Sequence, residues 1–204
     1  MRRWAWLVSL LVGISAGNGL WSQGAPPTKG ALLYRESVGR VWLIQPAGQK
    51  VPFGVKGVAT GAAAIETAQK STAVLHWAPY AALVKMAGDT MVRLEGERAL
   101  KVERGRIWVG SPPPPPPLRR YPLPVFAGDL LVVGTHDAIF SVLVTPKGLR
   151  RISVDQGACE VFLPTGSLRL PSGMMVDLIP SEPVRPIISP LSYQEKLLWD
   201  SGGF

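Results

Sequence analysis

Leu100-Lys101-Val102-Glu103-Arg104-Gly105-Arg106-Ile107-Trp108-Val109 alternates apolar and polar side chains up to a glycine, and then starts again. A period of two puts apolar groups on one face of a strand, whereas a helix needs 3.6. Gly105 sits where one strand passes into the next, a place that often requires positive φ. The second run alternates cleanly if Trp108 faces outward. The pattern returns at Ile152-Ser153-Val154-Asp155-Gln156-Gly157-Ala158-Cys159-Glu160-Val161, at a constant offset of 52. Apolar positions, the acidic residue and the glycine coincide. Two such copies imply stacked halves of one β unit; a chance likeness between two β-hairpins is the alternative.

Outward from this repeat the period stays at two. Ala73-Val74-Leu75-His76-Trp77, Ala82-Leu83-Val84-Lys85-Met86 and Met91-Val92-Arg93-Leu94 precede it. Leu130 to Val133, Ile139 to Val144, Glu160 to Leu163, Leu168 to Leu170 and Met174 to Leu178 continue it. Gly88-Asp89, Glu95-Gly96, Pro146-Lys147-Gly148 and Pro164-Thr165-Gly166 break the runs at short, regular intervals. Short strands so punctuated predict an all-β domain: antiparallel strands in a two-fold repeated roll or sandwich, solenoid-like in its stacking. A short carboxy-terminal helix is expected after it. Ser192-Tyr193-Gln194-Glu195 has capping-box spacing, and Leu191, Leu197, Leu198 and Trp199 supply an apolar face before Gly202-Gly203. Such a helix is too short to persist alone in water and must pack on the core or on a partner.

The chain divides into four stretches. Residues 1–24 read as a secretory signal: Arg2-Arg3, an apolar run from Trp4 to Ala16, and small residues at the exit. Cleavage after Gly24 or Gly17 is expected, with retention as an uncleaved anchor the alternative; no cysteine follows the run, so no lipoprotein anchor is expected. Residues 25–38 read as a flexible lead with Pro26-Pro27, and 39–179 as the β domain. A proline-rich loop over 111–118 carries six consecutive prolines, which suit an exposed polyproline II spacer and cannot enter a sheet. Residues 180–204 form a tail whose Pro180, Pro183, Pro186 and Pro190 argue against a long regular element before the helix.

Composition sets the remaining bounds. Gly 22 and Pro 20 make about a fifth of the 204 residues, and 47% apolar content supplies a core. A formal charge of +8 suits anionic glycans, lipid headgroups or acidic protein faces, or simply a solubilising surface. One cysteine, Cys159, excludes an internal disulfide and any cysteine-rich metal site, and its parity with Val161 points it into the core.

No reactive constellation stands out. His76 and His136 are isolated, and no serine has a nucleophile-elbow context. No catalytic, cofactor-binding or metal-binding residue is expected, and no cofactor. Arg119-Arg120 and Arg150-Arg151 read as solvated loop charges.

From Ile65 to Leu178, roughly 115 residues, the ordered pattern resembles the FecR family of periplasmic domains. Ile65-Glu66-Thr67, Ser71 to Leu75, Ala82 to Met86 and Leu100 to Val109 follow its strand series. Val133-Gly134-Thr135 followed by Phe140-Ser141-Val142 is similar to its glycine-threonine and phenylalanine-x-valine signature. Val154, Gly157 and Val161, then Gly173 to Val176, close the series. Gly105, Gly134, Gly157 and Gly173 are therefore the expected structural turns. The best-known members carry a cytoplasmic segment that binds a sigma factor, followed by one membrane helix. Here only Arg2 and Arg3 precede the apolar run, so no such segment, and no direct anti-sigma activity, is expected. The resemblance implies a non-enzymatic periplasmic or secreted module of the cell envelope that acts through protein contacts as a binding scaffold or a sensor, with an envelope protein as its expected partner. Leu197, Leu198 and Trp199 are the candidate docking residues. Two other readings stand: a signal-anchored regulator of transmembrane signalling, and a module for anionic cell-wall glycan, suited by the basic charge and by exposed tryptophans. No nucleic acid is expected, and membrane contact only through the amino-terminal segment.

Overall fold

The computed structural model describes residues 30–96, 98–110, 122–135, 137–181 and 183–202. The expected signal segment, the six prolines, Arg119-Arg120 and His136 lie outside the described residues. The first half runs through β1 (Ala31–Val38), β2 (Val41–Ile44), β3 (Lys50–Pro52), β4 (Val58–Thr60), β5 (Ala64–Thr67) and β6 (Thr72–Trp77). A 3-10 turn at Ala78–Tyr80 leads to β7 (Ala82–Met86), β8 (Met91–Glu95) and the long β9 (Ala99–Gly110). The second half holds β10 (Leu123–Ala127), β11 (Leu130–Gly134), β12 (Ile139–Val144), β13 (Arg150–Gln156), β14 (Ala158–Leu163), β15 (Gly166–Pro171), β16 (Met174–Ile179) and β17 (Arg185–Pro190). The helix α1 (Tyr193–Gly202) follows β17.

These 17 strands form one continuous sheet folded into two layers. Layer A has the order β4-β1-β6-β7-β9-β12-β13-β16-β17. Layer B has the order β3-β2-β5-β8-β9-β10-β11-β14-β15. Strand β9 belongs to both. Its Ala99–Arg104 part pairs with β8, and its Gly105–Gly110 part pairs with β7 and β12. Alternation decides the inward face: Ala73, Leu75 and Trp77 of β6 and Ala82, Val84 and Met86 of β7 are buried, with half-buried residues between them. They meet Ile65, Val92, Leu100 and Val102 of layer B in one apolar core that continues into the second half through Val132, Phe140, Ile152 and Val161. Cys159 lies within it, where burial pushes its thiol pKa up and keeps it protonated.

The chain bends from one layer to the other at glycine. Gly105, at φ +83°, carries β9 from layer B into layer A. Gly157, at φ +73°, carries β13 of layer A into β14 of layer B. The sequence repeat therefore marks two equivalent bends of opposite sense. They also lie at opposite ends: Gly105 stands across from Val144, whereas Gln156 stands across from Ile139.

A hydroxyl closes each bend. The Arg106 N–H donates to Thr90 Oγ1 at 3.0 Å, and that hydroxyl donates to the Arg106 carbonyl at 3.1 Å. The Ala158 N–H donates to Thr135 Oγ1 at 3.1 Å. A third bend, between β1 and β2, repeats the device, with Arg40 N–H donating to Ser71 Oγ at 3.0 Å. A Cβ on Gly39, Gly105 or Gly157 would come within 2.3, 2.3 and 2.9 Å of those same three hydroxyl oxygens.

Several expectations change. The lead over 25–38 is not wholly flexible, because 31–38 is β1, paired with β6 from Leu32↔Trp77 to Val38↔Thr72. Its polar residues disguise it as a lead, since only Leu32 is fully buried. The proline tail likewise contains a strand, β17. Pro186, Ile188 and Pro190 share one parity on this edge strand, so the missing N–H groups face away from β16 and cost no ladder bond. Gly134 is not at a turn: it ends β11, where a Cβ would lie 2.5 Å from the Phe140 ring. Gly173, at φ +77°, turns β15 into β16 with open space around it.

The two glycine environments separate backbone strain from steric clash. Gly173→Ala should cost about 1 kcal/mol, the price of left-handed backbone alone. Gly105→Ala adds a collision with Thr90 in a packed bend and should cost about 3 kcal/mol in all. Urea unfolding of both variants checks this; equal losses would contradict the role given to the Thr90 clasp.

Candidate functional site

Layer A has a second buried face. On β9, Arg106 and Trp108 have the parity opposite to the core residues Ile107 and Val109. Across the strands, Trp108 lies opposite Ser141, and Ser141 opposite Ser153. One step along, Arg106 lies opposite Leu143, Leu143 opposite Arg151, and Arg151 opposite Asp177. Trp108 does face away from the core, yet it is only 5% exposed and carries Lys85 Nζ and Arg106 Cζ each 5.9 Å from its ring. Ser141 and Ser153 are buried as well. Alternation identified the two faces correctly but not that the outer one is covered.

Helix α1 is joined to this face. Its amino end is capped as the sequence implied, with the Glu195 N–H donating to Ser192 Oγ at 3.2 Å. The Leu191 N–H donates to the Gly173 carbonyl at 2.8 Å, fixing the root of the helix to the β15–β16 turn. The Glu195 side chain does not turn back to complete a capping box. It points at the sheet and is 2% exposed. Arg106 grips it with two nitrogens, Nη1 to Oε2 at 2.7 Å and Nη2 to Oε1 at 3.0 Å. Arg151 adds Nη1 to Oε1 at 3.0 Å, and its other edge holds Asp177 through Nε at 2.6 Å and Nη2 at 2.8 Å. Both arginine–carboxylate pairs are thus bidentate, the geometry that gives such pairs strength and direction.

Electrostatics follow from this packing. Burial would raise the Glu195 pKa, but hydrogen bonds and charge from Arg106 and Arg151 outweigh it and hold the carboxyl below its usual value. The Asp177 hydrogen bond, against burial, raises Arg151 further, with Glu195 adding to it. Trp108 Nε1 and Ser153 Oγ, beside the two arginines, are buried without a hydrogen-bond partner. The arrangement can bind and orient a carboxylate. It offers no nucleophile paired with a base.

The docking residues proposed from sequence separate here. Leu197 and Leu198 are 47% and 40% exposed on the same helix, and the side chain of Trp199 lies outside the described residues. Arg150 and Arg151 are not solvated loop charges: Arg150 pairs with Asp129, and Arg151 belongs to the network. Among the described tryptophan side chains none is exposed: Trp77 is in the core, Trp108 is buried, and Trp42 is half-buried beneath Lys50. His76 is half-buried on β6, where burial and then Arg35 lower its pKa, leaving it neutral at pH 7. Among the described residues no three His, Cys, Asp or Glu side chains group to hold a metal, and no helix is long and apolar enough to cross a membrane.

Sequence reasoning missed Arg106, Arg151, Asp177 and Glu195. The available signal was parity: Arg106 and Trp108 alternate outward on a strand whose tryptophan asks for cover, and the best covering element carries a glutamate in its first turn.

No protein-family model matches the chain, and no curated protein matches it. Its fold is similar to that of solved structures. Two crystal structures of a candidate anti-sigma factor from Parabacteroides distasonis, at 2.50 and 1.65 Å resolution, align with TM-score 0.56 and 18% identity. Each alignment covers 69% of this chain and 65% or 66% of that one, so the chain spans a little under two thirds of its neighbour.

The network makes the attachment of α1 dependent on pH. Arg106, Arg151 and Asp177 are the charged groups facing Glu195. A depressed carboxyl stabilises the docked helix fully above the unfolded value of about 4.3 and loses that contribution as pH falls through the lower folded value. NMR titration of the Glu195 carboxyl carbon should give a midpoint below about 4.3, with α1 amide signals changing across the same interval. A midpoint at or above the ordinary value would refute the pairing.

Proposed function

We propose that this chain is an exported, non-catalytic, FecR-like module of the bacterial envelope that works through protein contacts in signal transduction. The observation that carries the reading is the bent two-layer architecture with its glycine–hydroxyl bends. Thr135 at the Gly157 bend and Phe140 against Gly134 are the residues of the glycine-threonine and phenylalanine-x-valine series. The likeness of fold to a candidate anti-sigma factor supports a regulatory role. The basic amino end and apolar run support export.

The partner in this reading is a protein of the envelope. The anionic-glycan alternative keeps the net charge in its favour, but Trp42, Trp77 and Trp108 offer it no exposed ring. Retention of the amino-terminal run would make the same module an anchored regulator.

Fractionation with amino-terminal sequencing, paired with transcript profiling of a deletion strain, tests the proposal. Mature protein starting at Ala25 or Asn18 outside the cytosol is expected, together with altered expression of a sigma-dependent gene set. Met1 in the membrane fraction would identify the anchored form. Intact protein in the cytosol with an unchanged transcript profile would overturn the reading.

A further inference from the structure

The grip on Glu195 has the form of a receptor and its occupant. We propose that Arg106 and Arg151 form a carboxylate-recognition site on the outer face of layer A, filled in cis by Glu195 and taken over by an acidic segment of a protein partner when α1 lifts away. The inference rests on the proposed function only in supposing a protein partner.

Three observations carry it. The first is charge. Asp177 serves Arg151 from within the same sheet, but Glu195 is the only carboxylate paired with Arg106 among the described residues. A guanidinium stays charged at any physiological pH, so Arg106 requires an anion whether or not α1 is seated. The second is unused capacity. Trp108 Nε1 and Ser153 Oγ lie two residues along β9 and β13 from the two arginines, buried and without partners. Four buried side-chain groups lack a partner among the described residues, Trp77 Nε1 and Arg150 Nε being the others, and these two adjoin a site already built for carboxylate oxygens. A segment with further acceptors would satisfy what α1 leaves unmade.

The third is the way α1 is held. Ten residues do not sustain a helix in water. It is tied to the sheet by the Glu195 network and, just before it, by Leu191 to Gly173. Tyr193 and Leu197, one turn apart, are both exposed, so this apolar pair does not anchor it. The helix follows β17, an edge strand, and can leave without disturbing the core. A partner acid competes with a tethered one, which makes Glu195 a built-in competitor that limits binding to partners of sufficient local concentration.

The probe is a fluorescent peptide copying residues 190–204, added to full-length protein. It should bind the Glu195→Gln chain at least ten-fold more tightly than the unaltered chain. The gain should vanish in the Glu195→Gln/Arg106→Gln double variant, and also when the peptide itself carries glutamine at 195. Equal binding to all three chains would overturn the proposal. Hydrogen exchange on the unaltered protein guards against a variant that fails to fold. The α1 amides should exchange at least ten-fold faster than those of β9 and β13, and faster still in high salt while the strands do not change. Exchange of α1 only together with those strands would also overturn it. Either failure leaves the transcript and export tests of the signalling role untouched, since the module could then act through another face.

Discussion

A hydroxyl oxygen occupying the place of a Cβ is the constraint on which the architecture depends. At Gly39, Gly105 and Gly157 the chain leaves one layer and enters the other, and the first N–H beyond the bend has no ladder partner. Ser71, Thr90 and Thr135 supply the acceptor from the residue just outside the end of a neighbouring strand, β6, β8 and β11 in turn. The oxygen can approach only because no side chain stands there. Left-handed backbone and close approach are separate reasons for glycine, and these bends combine them. Thr90 meets both polar groups of Arg106, and its own N–H donates to Thr67 Oγ1, so the first-half bend is a closed circuit of satisfied groups. An unpaired N–H at such a buried position would cost about 1–3 kcal/mol, enough to matter against the small net stability of a domain.

These bends explain both what the sequence revealed and what it concealed. The offset of 52 is visible because each copy needs the same order: alternating strand, glycine, alternating strand. Alternation states which residues share a face but not which layer that face belongs to. Hence Gly105 and Gly157 look equivalent, although one leads from layer B to A and the other from A to B. Gly134 is a different case. It is conspicuous beside Thr135, but its small size serves the Phe140 ring, and a strand end with a tight contact looks like a turn when only the glycine is visible. Strands β1 and β17 escaped notice for opposite reasons. The first has polar residues along much of its length, and the second has prolines that edge geometry tolerates.

The outer face of layer A was legible in residue type and hidden in meaning. A period-two strand is ordinarily read as one wet face and one dry face. Trp108, Ser141 and Ser153 obey the parity and break the assumption, since all three are buried on the face assigned to water. Arginine and glutamate are the residues most readily dismissed as surface charge, and their sequence separation of 89 between Arg106 and Glu195 offers no local clue. Only the folded chain brings β9, β13, β16 and α1 together. The missed site is thus a product of long-range topology, whereas the bends are a product of local backbone chemistry.

The buried network also limits how firmly α1 can be held. Desolvating Glu195 and part of two arginines cancels much of the attraction between them, so a buried ion pair adds less to stability than its geometry suggests. Removing one partner is costly all the same, because the remaining charge stays stranded. The consequence is selectivity without great strength: α1 docks in one orientation, set by the bidentate grip of Arg106 and a single bond from Arg151, and among its described side chains Glu195 alone is buried. A helix needed only for stability would be expected to turn Leu197 toward the sheet and to leave no indole N–H without a partner beside its contact. The observed choice trades adhesion for a carboxylate address, which is what a surface that must be both covered and accessible requires.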